Sequence, residues 1–158
     1  LTAHRGLRAL DDGQYRVIAD TGYCTGCCVV ATRAVWEKVG LLDEGYFIYG
    51  EDADWSLRVR EAGLRLLFVP TARLWHQVSA SSGAASPFKI YHRLRANLRL
   101  CATHARGLGV ITWGPAFLAQ QLVLMLWLLV RGQVASAMAV PRALADSIAG
   151  KPAGEVRL

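Results

Sequence analysis

The sequence predicts an α/β domain followed by an α-helical, partly apolar tail, on three observations. Short apolar runs at 26–31, 65–69 and 72–76, punctuated by Gly and Pro, read as strands. Between 51 and 62, Trp55, Val59 and Ala62 recur at i, i+4 and i+7, the period of a half-buried helix. From 107 to 130 the chain carries no charge, a composition suited to a helix packed on apolar surroundings.

The elements follow in order. Residues 1–22 read as irregular, with Asp11-Asp12-Gly13 as a turn. The run 26–31 reads as a short buried strand. Thr32 is placed to cap a helix over 33–39, which Gly40 stops. An aromatic loop with Tyr46, Phe47 and Tyr49 leads into the helix 51–62, ended by Gly63. A strand over 65–69 closes at Pro70, and a second over 72–76 ends on His76. Ser79–Ser86 reads as a mobile Ser/Gly/Ala loop. A basic helix spans 89–106, with Pro87 near its start.

In the tail, Gly114-Pro115 is expected to interrupt the apolar stretch and leave a helix over 116–130, about 22 Å long. That is short of the ~30 Å hydrocarbon core of a bilayer. The favoured reading is a helix lying in or dipping into a membrane interface, with Trp113 and Trp127 as anchors. A full span using 107–130 and an internal core helix are the alternatives. A last helix covers 133–149, with Ala137, Val140, Leu144 and Ile148 on one face.

At 158 residues the chain is long enough for one domain with a core. Its formal net charge is +6, unevenly spread. Residues 1–61 carry ten acids and seven bases; 62–145 carry nine bases and no acid. Such asymmetry points to an anionic partner for the second half. Nucleic acid is disfavoured, because the bases are broken up by an apolar helix and no basic-aromatic motif is present. Cys24, Cys27 and Cys28 form C-x-x-C-C inside an apolar run, so a small buried strand is a better reading than zinc. No disulfide framework is visible, which fits a reducing cytosol. The N-terminus is polar and lacks the apolar core of a signal peptide.

The chemistry concentrates in Gly50-Glu51-Asp52-Ala53-Asp54, which opens the helix 51–62 with three carboxylates. A carboxylate cluster with a His downstream, here His76, suits removal of a proton from a hydroxyl beside a metal-bound phosphate. A solvated helix start is the plain alternative, since acids are favoured at helix N-termini. Asp54 and Arg58 are spaced i, i+4 for an ion pair. Trp55 reads as core or as a platform for a sugar ring.

The order of these pieces resembles the C-terminal half of the family 2 glycosyltransferases, close to the rhamnosyltransferase-like members. The likeness is carried by Thr25-Gly26-Cys27-Cys28, Val39-Gly40-Leu41-Leu42-Asp43-Glu44 and Tyr46-Phe47-Ile48-Tyr49-Gly50-Glu51-Asp52-Ala53-Asp54. Arg58 with Arg60, Ala62-Gly63, Val69-Pro70, Trp75-His76 and the set Tyr91, Arg95, Asn97 continue it. The resemblance implies a GT-A fold and an inverting transfer of sugar from a nucleotide-diphosphate donor. It makes Asp52 the catalytic base with Glu51 in support. Gly26, Tyr49 and Trp55 would border the substrate, and His76 would be a ligand to Mg²⁺ or Mn²⁺. The acceptor would be a cell-surface glycan or a lipid-linked sugar, met at the cytoplasmic face of the membrane. In this reading 1–20 is the edge of the catalytic domain, 21–105 its acceptor-side half, and 106–158 a membrane-associated tail. The family's nucleotide-binding half and its Asp-x-Asp motif have no counterpart here, so a fragment with an incomplete donor site is expected. A non-catalytic membrane-binding remnant is the competing reading.

Overall fold

In the computed structural model, residues 9–76 and 86–155 are described. Five α-helices and one short strand pair account for their regular structure. The strands are β1 (Ala19–Asp20) and β2 (Leu67–Phe68). They pair antiparallel, Ala19 opposite Phe68 and Asp20 opposite Leu67. The helices are α1 (Arg33–Val39), α2 (Glu51–Glu61), α3 (Pro87–His104), α4 (Leu108–Val130) and α5 (Val134–Ile148), and a 3-10 turn covers Ala153–Glu155. The chain divides into two compact units, one of 9–44 and 51–76, the other of 45–50 and 86–155. The second unit takes in α3 as well as α4 and α5.

The first unit gathers around Trp55, Val59 and Leu66, with Val35, Trp36 and Val39 of α1 packed against them. The helical period of α2 sets this up: Trp55 and Val59 lie one turn apart on the same face. The rings of Trp36 and Trp55 pack tilted, 31° between their planes, with centroids 4.5 Å apart. Gly40 ends α1 with φ 85, a left-handed conformation that a side chain would strain, and its N–H closes back on the Trp36 carbonyl at 2.8 Å. Thr32 stands at the N-cap in extended conformation, but its hydroxyl makes no capping bond; its carbonyl receives the Val35 N–H at 3.0 Å.

Arg58 ties this unit together. Its Nε donates to Asp54 Oδ2 at 2.8 Å, Nη1 to the Val39 carbonyl at 2.7 Å and Nη2 to the Leu41 carbonyl at 2.8 Å. The i, i+4 pair read from the sequence is thus formed, and it also fixes the end of α1.

Several expected strands are absent. Residues 26–28 form a turn, and Cys27, Cys28 and Val30 are exposed. A strand needs a partner ladder, and no strand among the described residues lies beside this run. Residues 72–76 form no strand, and all five are exposed. The expected mixed sheet is therefore a single antiparallel pair, and the described residues are mostly helical. The loop expected over 79–86 lies outside the described residues except for Ser86. That residue caps α3, its Oγ accepting from the Lys89 N–H at 3.3 Å, with Pro87 at the first helical position.

The second unit is built on α5, which packs against both α3 and α4. Tyr91 and Leu94 of α3, Phe117 of α4 and Ala139, Val140 and Ala143 of α5 form its core. The small residues of α5 let its neighbours approach closely. A polar network closes the far end. The Tyr91 hydroxyl donates to Asp146 Oδ2 at 2.9 Å and accepts from Arg95 Nη1 at 2.9 Å. Lys151 Nζ meets Asp146 Oδ1 at 2.7 Å, and Arg95 also donates to the carbonyls of Lys151 and Pro152. The hydrogen bonds from Lys151 and then Tyr91 hold the Asp146 carboxyl below its usual range. His92 is buried among the rings of Phe47, Phe88 and Tyr91, and burial followed by the nearby Arg95 charge lowers its pKa.

The apolar helix differs from expectation in one respect. α4 runs unbroken from Leu108 to Val130, through Gly114-Pro115. Pro115 falls in its second turn on an exposed position and lacks the N–H that would bond back to the Ile111 carbonyl.

Candidate active site at the start of α2

The first turn of α2 presents Glu51 and Asp52, and the segment 23–26 lies against it. Asp52 and Ser56, spaced i, i+4, face that segment together. Ser56 Oγ receives the Cys24 N–H at 3.1 Å. Asp52 Oδ2 accepts from the Tyr23 hydroxyl at 2.5 Å and from the Gly26 N–H at 2.8 Å. Its Oδ1 accepts the Ala53 N–H at 2.8 Å. Asp52 is half-buried, so its carboxylate is oriented by three donors without being sealed off.

Glu51 differs from its neighbour. Its Oε2 is buried and accepts no hydrogen bond among the described residues. Burial, and secondarily the charge of Asp52, raise its pKa, against the opposing effect of its own backbone N–H. The fold therefore favours the protonated form. That contribution is fully present below a glutamate's ordinary 4.5 and is lost as pH rises through the folded-state value. Glu51→Gln, which imitates the neutral form, is expected to melt at a higher temperature than the wild type at neutral pH. Near pH 4 the two are expected to melt together. Thermal melts at both pH values check this.

Tyr23 is the residue that sequence reasoning missed. Its pKa is raised, first by burial and then by the hydrogen bond to Asp52, so its hydroxyl keeps its proton and acts as a donor to Asp52. No local pattern marks it: it lies 29 positions from the carboxylate it holds. The only signal is its place three residues ahead of Gly26.

Gly26, expected to border the substrate, gives its N–H to Asp52. A Cβ there would meet the Asp52 carboxylate at 3.5 Å, an ordinary contact, so the residue's use here is the backbone donor. Trp55 corrects its expectation as a substrate platform. It is 3% exposed, its ring packs tilted against that of Trp36, and its Nε1 donates to the Gly40 carbonyl at 3.0 Å, so the ring is not open to a sugar. Tyr49 belongs to the segment 45–50, in the second unit, where it holds φ 66 although it is not glycine. His76 is exposed, at the end of the irregular run 72–76. Of the bases on α3, Arg95 donates to the Tyr91 hydroxyl and to the Lys151 and Pro152 carbonyls, and Arg99 lies over the Tyr46 ring at 5.1 Å.

A divalent cation with oxygen preference needs several ligands at once, and one imidazole does not hold it. Among the described residues no three of His, Cys, Asp and Glu group so as to hold a metal ion. His76 with its described neighbours thus does not form a complete metal centre.

Comparison with known proteins adds to this geometry. The model of the glycosyltransferase-like family 2 matches residues 10–97, more than half of the chain. The chain is a member of glycosyltransferase family 2. The match takes in the whole of α1, α2 and the 23–26 segment. The family 2 chain is also 35% identical, over 74 residues, to the N-acetylglucosaminyl-diphospho-decaprenol L-rhamnosyltransferase of Mycobacterium tuberculosis, covering 46% of this chain and 24% of that protein. It is 37% identical over 54 residues to the rhamnosyltransferase WbbL of Escherichia coli K12, 34% of this chain and 20% of WbbL. It is 38% identical over 60 residues to the O-antigen biosynthesis protein RfbC of Myxococcus xanthus, 38% of this chain and 5% of RfbC. The matched stretches thus span about a quarter or less of these relatives' length. No solved structure matches the chain.

Proposed function

We propose that this family 2 chain forms the acceptor-side part of an inverting, rhamnosyltransferase-like enzyme with a GT-A catalytic domain. The donor is a nucleotide-diphosphate sugar. The acceptor is a lipid-linked sugar or growing cell-surface polysaccharide at the cytoplasmic face of the membrane. The relatives' names support the sugar and acceptor class, since they describe a rhamnosyltransferase acting on a diphospho-decaprenol-linked sugar and an O-antigen biosynthesis protein.

The observation that carries the reading is the oriented carboxylate of Asp52 beside the unfilled oxygen of Glu51. An acceptor hydroxyl is a poor nucleophile until its proton leaves. A fixed, partly open carboxylate takes that proton as the oxygen attacks the anomeric carbon from the side opposite the departing nucleotide diphosphate. Tyr23 and Gly26 hold Asp52 in one orientation, which saves reorganisation during reaction. For His76 the proposal is narrower: it adds one ligand to a Mg²⁺ or Mn²⁺ ion whose remaining ligands come from elsewhere, and no step above depends on it.

Calorimetric titration tests the acceptor-side assignment. The chain is titrated with a short-tailed, diphosphate-linked sugar, and separately with UDP and dTDP in the presence of Mn²⁺. Heat from the sugar diphosphate-lipid analogue alone is expected. Binding of the nucleotides without the acceptor analogue contradicts the assignment.

A further inference from the structure

α4 presents an apolar face on the side away from its own core. Phe117, Gln121 and Leu128 are buried, one helical stripe turned toward the unit's core. The opposite side carries Leu118, Leu122, Val123, Leu126, Leu129 and Val130, each between 41% and 89% exposed. A surface helix of a water-soluble protein shows a polar face there; an apolar face this long marks a surface that meets a partner or a membrane. Length and composition alone allow Ile111–Val130 to cross a bilayer, and at about 34 Å the 23-residue helix exceeds the ~30 Å hydrocarbon core.

The packing argues against crossing. α4 shares a core with α5 and α3. A span by α4 would carry α5 in with it, and α5 bears Arg142 and Asp146. α3, packed on α5, bears Lys89, Arg93, Arg95 and Arg99. Charges at bilayer depth are costly, and this many on two packed neighbours oppose insertion. A helix lying in the plane of the interface has no such conflict: its outward face enters the acyl boundary while α3 stays in water.

The charges name the surface. No acid occurs from residue 62 to 145, and the bases Arg106 and Arg131 flank α4. The Arg131 guanidinium lies 4.3 Å over the Trp127 ring, and Trp127 is 46% exposed. An amphipathic aromatic with a base that reaches past it is the pairing found where acyl chains give way to headgroups.

We infer that the outward face of α4 docks the chain, in plane, on an anionic lipid leaflet, without crossing it. This deepens the membrane-face location proposed above and does not depend on the chemistry at Asp52.

Flotation with preformed vesicles tests it. The chain is expected to float with vesicles containing phosphatidylglycerol, and to do so less with phosphatidylcholine alone or at raised salt. The double substitution Leu122→Asp, Leu126→Asp, on the exposed face, is expected to reduce bound protein at least ten-fold with an unchanged circular dichroism spectrum. Asp52→Asn is expected to float like the wild type, which separates failure of docking from failure of the glycosyltransferase reading. Nitroxide labels placed singly at 111, 118, 122 and 129, with native cysteines replaced by serine, read the depth. Equal shallow depths along the helix support in-plane docking; a maximum at 118 and 122 with shallow ends overturns it in favour of a span. A soluble dimer that loses its association on the same double substitution, with no vesicle binding, also overturns it and gives the face to a second copy.

Discussion

Asp52→Asn is expected to lower sugar transfer by roughly 10²–10⁴-fold, the usual contribution of a positioned general base. An amide has almost the same shape but no basic oxygen for a hydroxyl proton. It still offers one oxygen to the Gly26 N–H or to Tyr23, which meet Asp52 at 2.8 and 2.5 Å, so the 23–26 segment is expected to keep its place. Tyr23→Phe is expected to reduce transfer by a smaller factor, on the order of ten-fold. It leaves the carboxylate in place but removes one of three donors that orient it. Rates of transfer, set against thermal melts of the same variants, distinguish lost chemistry from lost fold. A variant at Asp52 with an unchanged melt and an unchanged rate contradicts the assignment.

The largest effect on stability is expected at Arg58. Its guanidinium faces Asp54, whose side chain is 3% exposed, and bridges two carbonyls at the end of α1. Removing one partner of a buried pair costs about 3 kcal/mol or more. For a unit of this size that is a fall in melting temperature of roughly 10 °C or more. Arg33→Ala breaks an ion pair of the same i, i+4 spacing, but its side chains are 91% and 63% exposed, and about 0.5 kcal/mol or less is expected. Arg58→Lys is expected to fall between the two, because an ammonium does not serve three acceptors in the planes a guanidinium fork reaches. Thermal melts of Arg58→Ala, Arg58→Lys and Arg33→Ala side by side are the check. Equal losses at Arg33 and Arg58 contradict the account of how the first unit is held.

The helices were legible because each carries its own signals. Trp55 and Val59 set the face of α2, Gly40 and Gly63 mark helix ends, and Ser86-Pro87 opens α3. The strands were not, because a strand is stabilised by a neighbour and not by its own composition. The run from Gly26 to Ala31 is apolar enough for a core strand, yet it turns and leaves Val30 92% exposed. Pro115 misled in the other direction: α4 runs unbroken through it, although a proline inside a helix removes one backbone bond and crowds the carbonyl four residues before it. At the site, the clustered carboxylates of Glu51 and Asp52 could be read directly. Their different surroundings could not. Tyr23 and the Gly26 N–H reach Asp52 across more than 25 positions of sequence, while Glu51 Oε2 is left with no donor among the described residues. Trp55 shows the limit of residue type as a guide: an aromatic beside two candidate acids belongs to the core because Trp36 and the Gly40 carbonyl claim it.

Sugar transfer itself tests the central claim most directly. Membranes from cells expressing a complete family 2 enzyme that contains this sequence, in wild-type or Asp52→Asn form, are supplied with dTDP-rhamnose and a lipid-linked diphosphate sugar acceptor, at matched protein levels. Transfer by the wild type, with a loss of at least 100-fold in Asp52→Asn, is the predicted result. Equal transfer by both forms contradicts it.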